Sequence, residues 1–412
     1  MNYTKQISYN TIGNVVTLFA QWLIIMILPM MTDFAEAGVF AVAISVSSIM
    51  NQVATFTLNQ YQVADGYRRF SESDYAVTRL VTIGISFVCI LPVVLLFGYG
   101  IEQVSIILAY TLYRNLINYA YLHMSGLQLV GRLDYAGKCM ILEGIISFAT
   151  FVSFYTFTTN LFVATSMMAL MGGGLYLLLM SRGFSSILGH KYSVHLGDRD
   201  NVAPLLLIGL SLLFSMLSPI IITALPKLIL DNYWGEAIVG YFSTLTAPTI
   251  VVPTIATSVF APFVVYFTKL SRSGDMPRIR IQYGKVLLIL GAMAVVFYIL
   301  SVLFAEPVFE AIYGSEIVPY VYCFNVLIIG IFLYSMGVCG ITVLITKNQG
   351  RAAGFSSLLA LGISLIIFLL VIPDGGMNGA TYGLLAAYGI FGFLVSLCVI
   401  ILPLSEVAPS EM

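Results

Sequence analysis

The sequence predicts an all-α polytopic membrane protein of twelve transmembrane helices in two six-helix halves. Three observations carry this. Of the 412 residues 59% are hydrophobic and only 9% charged, with a mean hydropathy of +0.98, well beyond the composition of a soluble domain. Apolar runs of the ~20 residues needed to cross ~30 Å of hydrocarbon recur along the whole chain, parted by short polar breaks. Finally, the basic residues gather on one side of these breaks and the acidic residues on the other.

Taken in order, the flanking charges mark each element. Asp33 and Glu36 part the first helix, near 8–31, from the second, 38–60, and Arg68 and Arg69 part that from the third, 77–98. Glu102 opens the fourth, 102–124. Arg132 and Lys138 precede the fifth, 138–157, and a short break leads to the sixth, 161–181. Arg182, Lys191 and Arg199 precede the seventh, 202–225, and Asp231 and Glu236 the eighth, 237–267. Lys269, Arg272, Arg278, Arg280 and Lys285 lead into the ninth, 286–305, and Glu306, Glu310 and Glu316 into the tenth, 318–346. Lys347 and Arg351 introduce the eleventh, 352–373, and Asp374 the twelfth, 378–404. With Lys5, Arg79 and the rest, every Lys and Arg except Arg114 and Lys227 falls on one side. The positive-inside rule makes that side, and both termini, cytoplasmic. Short basic loops explained by topology give no reason to expect a nucleic-acid partner.

The polar segment "SRGFSSILGHKYSVHLGDRDN", 181–201, divides the chain into bundles of residues 1–190 and 191–412. Faint similarity crosses that divide. "ILPMMTDFAEAGVFAVAIS" and "ALPKLILDNYWGEAIVGYFSTLT" each run Leu-Pro, acidic loop, Gly-x-Phe, and Gly131-Arg132 matches Gly350-Arg351. Halves of six crossings share orientation, the parallel-repeat arrangement of transporters. With Lys5 and no small-residue cleavage site before Pro29, the first span reads as a retained helix. Five scattered cysteines and three histidines without ligand spacing indicate no disulfide framework, metal site or cofactor.

Three helices carry polar ribbons at helical spacing: Asn10, Asn14, Thr17 and Gln21; Ser45, Ser48, Gln52, Thr55 and Asn59; Tyr110, Arg114, Asn118, Tyr121 and Ser125. Buried polar groups in hydrocarbon need partners or water, so these faces turn from lipid. Seams of interhelical hydrogen bonds account for the Ser and Thr positions. The long amides Asn14, Gln21, Gln52 and Asn59 call instead for a water-filled cavity.

Arg114, within "TLYRNLIN", is placed near mid-membrane, where a cation costs about 3 kcal/mol on insertion scales and normally meets a cavity and an anion. Glu143 and Asp65 read as lying toward cytoplasmic helix ends, leaving no acid at its depth. The expectation is that the anion belongs to a cargo, since a guanidinium fork matches phosphate oxygens; the alternative is a pairing with Glu143 or a backbone carbonyl. Lys227, after Pro226, is a second candidate anion contact or an interfacial snorkelling lysine.

"NTIGNVV", "EAGVFAVAISVSSIM", "YQVADGYRRFSESDYAVTRL" and "ALPKLILDNYWGEAIVGYFSTLTAPTIVV" resemble the bacterial polysaccharide repeat-unit flippases, the oligosaccharide-lipid branch of the multidrug/oligosaccharidyl-lipid/polysaccharide exporter superfamily. The resemblance implies two six-helix bundles around a central V-shaped cavity in the bacterial cytoplasmic membrane. It also implies an undecaprenyl-pyrophosphate-linked oligosaccharide as cargo, moved from the inner to the outer leaflet, with membrane lipids and glycan polymerase or other polysaccharide-assembly proteins as partners. In that frame Arg114, Asn118, Asn14, Gln21, Gln52, Asn59 and Lys227 are candidate substrate contacts, and Glu143 and Asp65 candidate ion-coupling groups. No catalytic residue is expected, and no P-loop is present. A cation-coupled multidrug extruder of the same fold and a membrane-embedded glycan polymerase or acyltransferase are the alternatives.

Overall fold

The computed structural model describes residues 3–192, 194–195 and 200–403, all helix, turn or irregular structure. Arg199, one of the cations assigned to the cytoplasmic side, lies outside them. The chain forms two compact units, Met1–Leu213 and Phe214–Met412, which divide inside the seventh predicted helix.

The first unit contains α1 (Tyr3–Met31), α2 (Phe34–Thr55), α3 (Leu58–Asp65), α4 (Glu72–Val88), α5 (Ile90–Phe97), α6 (Ile101–Leu129), α7 (Leu133–Thr158), α8 (Leu161–Met167), α9 (Leu175–Leu188) and the start of α10 (Val202–Trp234). A π-helical stretch, Met168–Gly174, joins α8 to α9. The N-terminus of α2 is capped by Asp33, whose carboxylate accepts from the Glu36 amide at 2.9 Å. The start of α4 is a capping box between Ser71 and Asp74, the arrangement that satisfies otherwise orphaned first-turn amides. Helices α1 and α7 touch along small residues. A Cβ on Gly137 would lie 2.3 Å from the Tyr9 carbonyl, and one on Gly144 would meet the Thr17 backbone at 3.1 Å. Backbones can approach this closely only where side chains are missing.

The second unit continues through α10 and adds α11 (Glu236–Thr246), α12 (Val251–Arg272), α13 (Met276–Tyr313), α14 (Val321–Thr346) and α15 (Gly350–Ile401). A 3₁₀ turn at Ala247–Ile250 interrupts what the hydropathy reads as one eighth helix. α15 carries the last two predicted helices. It breaks at Gly376, where φ is 52°, and doubles back so that Gly383 faces Phe368.

Among the described residues, nine helical stretches are long and apolar enough to cross a membrane. One of them holds the two arms of α15, and the more polar α6 and the α11–α12 pair complete a set consistent with twelve crossings.

The linker after α9 is strapped to the first unit. Gln62 donates to the Tyr192 hydroxyl at 2.9 Å, the His195 amide donates to Ser73 at 2.8 Å, and His190 pairs with Glu72 at 3.2 Å. Tyr192 sits against His123 and Phe184, so His123 is part of an aromatic cluster. Beneath the strap, Leu58, Phe70, Tyr75, Leu122 and Leu205 form a buried apolar cluster.

Candidate substrate cavity

Arg114 lies thirteen residues from one end of α6 and fifteen from the other, about 20 Å from each at 1.5 Å per residue. It is half-buried, and it makes no hydrogen bond and no ion pair within 4.0 Å among the described residues. The phenols of Tyr110, Tyr121 and Tyr113 and the carboxyl group of Glu143 are the groups that act on it electrostatically.

The sequence places Glu143 near the cytoplasmic end of its helix; the structure corrects this. α7 begins at Leu133, not near residue 138, so Glu143 sits three turns inside. It is buried, accepting hydrogen bonds from Ser147 at 2.8 Å, from Thr17 at 3.1 Å and from the Tyr113 hydroxyl. An acid therefore does lie at the depth of α6's middle, adjoining Arg114 in the field it produces. It is held by three hydroxyls from α7, α1 and α6 and does not clasp the guanidinium. Asp65, the other candidate for ion coupling, is committed to a turn. Its carboxylate accepts from the amides of Arg69 at 3.0 Å and Phe70 at 3.3 Å and from the Tyr75 hydroxyl at 3.1 Å.

Asn118 is also corrected. Expected to face cargo, it is fully buried in the α2–α6 seam, donating to the Asn51 side chain at 2.9 Å and accepting from Thr55 at 2.7 Å. Its capacity is spent between helices. Ser47 and Thr111, 2.8 Å apart, extend the same seam.

The ribbon of α2 does not run straight to Asn59, because the helix breaks. Phe56 and Thr57 both adopt the left-handed conformation, with φ of 46° and 57°. A break leaves carbonyls of the last turn without their usual partners. Arg79 supplies them. Its guanidinium donates to the Ala54 carbonyl at 2.9 Å, to the Thr55 carbonyl at 2.8 Å and to Oδ1 of Asn59. Thr82 adds a bond to the Ala54 carbonyl at 2.8 Å. Arg79 is 0% exposed, which overturns its assignment as an ordinary cytoplasmic charge. The missed signal is Ser71-x-x-Asp74, a capping-box pattern that starts α4 at Glu72 and carries Arg79 two turns inward. Lys347 is a parallel case: 1% exposed, it donates to the Val399 carbonyl at 3.0 Å and the Leu402 carbonyl at 2.6 Å at the end of α15.

Within the first unit, a cavity of about 280 Å³ is lined by Asn14, Asn59, Gln60, Val63, Tyr121, Met124, Ser125 and Gln128. This is near the small end of ordinary ligand pockets, which span ~300–1,000 Å³. The structure thus brings Asn14 and Asn59 together with the ribbon residues Tyr121 and Ser125. It adds Gln60 and Gln128, which lie off the ribbons read from the sequence. Tyr121 links cavity and cation, because its phenol lies in the field of Arg114 two turns along α6. Asn14 donates to the Asn10 carbonyl at 3.0 Å, leaving its own carbonyl oxygen to accept. Gln21 and Gln52 lie outside this lining. Nε2 of Gln21 is buried with no partner among the described residues, and Gln52 is half-buried. Lys227 belongs to the second unit, half-buried on α10 with no hydrogen bond or ion pair among the described residues.

No protein-family model matches the chain. A capsular polysaccharide biosynthesis protein, CapF of Staphylococcus aureus, is 23% identical over 394 residues, covering 91% of this chain and 94% of that protein. Among solved structures, the lipid II flippase MurJ in an inward closed conformation superposes with a TM-score of 0.69 at 12% identity, covering 96% of this chain and 87% of that one. An inward-facing multidrug resistance MATE transporter of the MOP superfamily gives a TM-score of 0.67 at 16% identity over 97% of both chains. This chain has the fold of those transporters, and over nine-tenths of its length it is similar to a capsular polysaccharide biosynthesis protein.

Proposed function

We propose that the protein is a flippase that carries an undecaprenyl-pyrophosphate-linked oligosaccharide from the inner to the outer leaflet of the bacterial cytoplasmic membrane by alternating access. The observation that carries this reading is Arg114 at the middle of α6, half-buried and without a hydrogen bond or ion pair among the described residues, two turns along the helix from Tyr121, which lines a cavity of amides and hydroxyls. A capsular polysaccharide relative and a lipid II flippase among the structural neighbours support the choice of cargo. The lipid tail stays in hydrocarbon while the diphosphate meets the guanidinium fork of Arg114 and the sugars exchange hydrogen bonds with Asn14, Asn59 and Tyr121. Negative charge leaving a negative interior gains about 2.3 kcal/mol per charge per 100 mV, so voltage favours the outward step. The step involves no covalent chemistry.

Arg114→Ala is expected to cut surface glycan at least tenfold at unchanged membrane level, and Arg114→Lys to keep part of the activity. Surface glycan measured against the gene deletion decides this; normal export by the alanine variant rejects the assignment. Glu143, a buried acid at membrane depth, favours the multidrug reading on one count, since cationic cargo is met by carboxylates. Three hydroxyls already occupy it. Dye efflux that depends on Glu143 would support that second reading.

A further inference from the structure

We propose that Arg79 is a positioning residue of the cavity: it holds the broken end of α2 and, through the carbonyl oxygen of Asn59, turns the Asn59 amide NH₂ toward the cargo. The consequence for transport rests on the glycan-carrier reading; the geometry does not.

A guanidinium can only donate, so the atom of Asn59 facing Arg79 is its oxygen. The amide nitrogen is then the atom left over, and Asn59 lines the cavity. Asn14, on α1 at the same cavity, has donated to Asn10 and presents an acceptor. The two amides therefore form a complementary pair, one donor and one acceptor, suited to a ligand rich in both, such as a hydroxylated sugar ring. An amide free to rotate would not discriminate. Arg79 is itself 0% exposed, with no carboxylate within 4.0 Å among the described residues. A buried cation satisfied only by two carbonyls and an amide oxygen is a costly way to close a helix end, which a Gly would do without charge. Its geometry instead couples three things: the carbonyls of Ala54 and Thr55, the left-handed step at Phe56–Thr57 and the amide of Asn59. Gly209 packs its backbone on Phe56, where a Cβ would lie 2.9 Å from the Phe56 oxygen, so the step is also braced from α10.

The decisive variant is Asn59→Asp. It keeps an acceptor for Arg79 and deletes the NH₂ that faces the cavity. Expected are a Tm no lower than wild type in detergent and a loss of surface glycan of at least tenfold at matched membrane level. Asn59→Leu removes both and is expected to lower Tm as well as export. Arg79→Gln is expected to lose at least tenfold in export, and combining it with Asn59→Leu to add less than twofold, since both remove one arrangement. Arg79→Lys, which keeps the charge but not the fork, should restore part of the export. Wild-type export by Asn59→Asp, or export losses that multiply in the double variant, would overturn the proposal. So would a Tm for Asn59→Asp as low as that of Asn59→Leu. If deleting the gene leaves surface glycan unchanged, the carrier reading fails, and the Tm comparison alone still decides whether Arg79 holds the amide.

Discussion

Three hydroxyls from three helices converge on the carboxylate of Glu143, and each bond ties α7 to itself or to a neighbour. Interhelical hydrogen bonds of this kind average about 0.6 kcal/mol and reach ~1.7 kcal/mol. Glu143→Leu should therefore lower stability by about 2 kcal/mol, seen as a reduced Tm in detergent, and Glu143→Gln by less, because it keeps an acceptor. Arg114 was legible in the sequence, since a lone Arg in an apolar run has few explanations. Arg79 was not, because the hydropathy window starts the third helix near residue 77 and leaves this cation at its rim. Asn118 shows the complementary limit. Helical spacing puts it on the face of Arg114, but spacing cannot say that Asn51, across the seam, takes up its amide.

Among elements, long straight spans were readable from hydropathy and their breaks were not. The step between α2 and α3 uses Phe56 and Thr57 in a left-handed conformation with neither Gly nor Pro at the corner, and an arginine from another helix compensates it. The contact of α1 with α7 is equally non-local. Gly137→Val should cost about 1–3 kcal/mol by forcing side-chain atoms into the Tyr9 backbone, whereas Gly84→Ala, where a Cβ meets nothing within 4 Å, should be neutral; thermal melts of the two variants test this. The strap after α9 has its own pH response. Glu72 raises the pKa of His190 above its ordinary value. A raised folded-state pKa means that the added docking strength is complete below about pH 6.5 and fades as the pH rises through the elevated value. Proteolysis at residues 189–192, measured against an unstructured peptide at each pH, should therefore quicken as pH rises from 6 to 9, and His190→Gln should flatten that dependence.

For the whole chain, the charge pattern predicts which loops face which side. A cysteine replacing Asp374 should react with an impermeant thiol reagent added to intact cells, and one replacing Ser273 should react only after permeabilisation. The reverse labelling would invert the proposed topology. The rule survives the loss of Arg79 and Lys347 as simple loop charges, because the many remaining basic residues fall on the same side. One detail of the second unit bears on how such a chain assembles. The indole of Trp234 donates to the carbonyls of Ile372 and Pro373 at 3.1 Å each, and a Cβ on Gly376 would strike its ring. Trp234 leaves the ribosome well before residues 372–376 do. The indole is thus made before the corner it holds, and these contacts close only once the last pair of spans has been synthesised. Shortening the chain before residue 372 would leave the indole N–H without either carbonyl acceptor, a mark by which an unfinished chain can be told from a complete one.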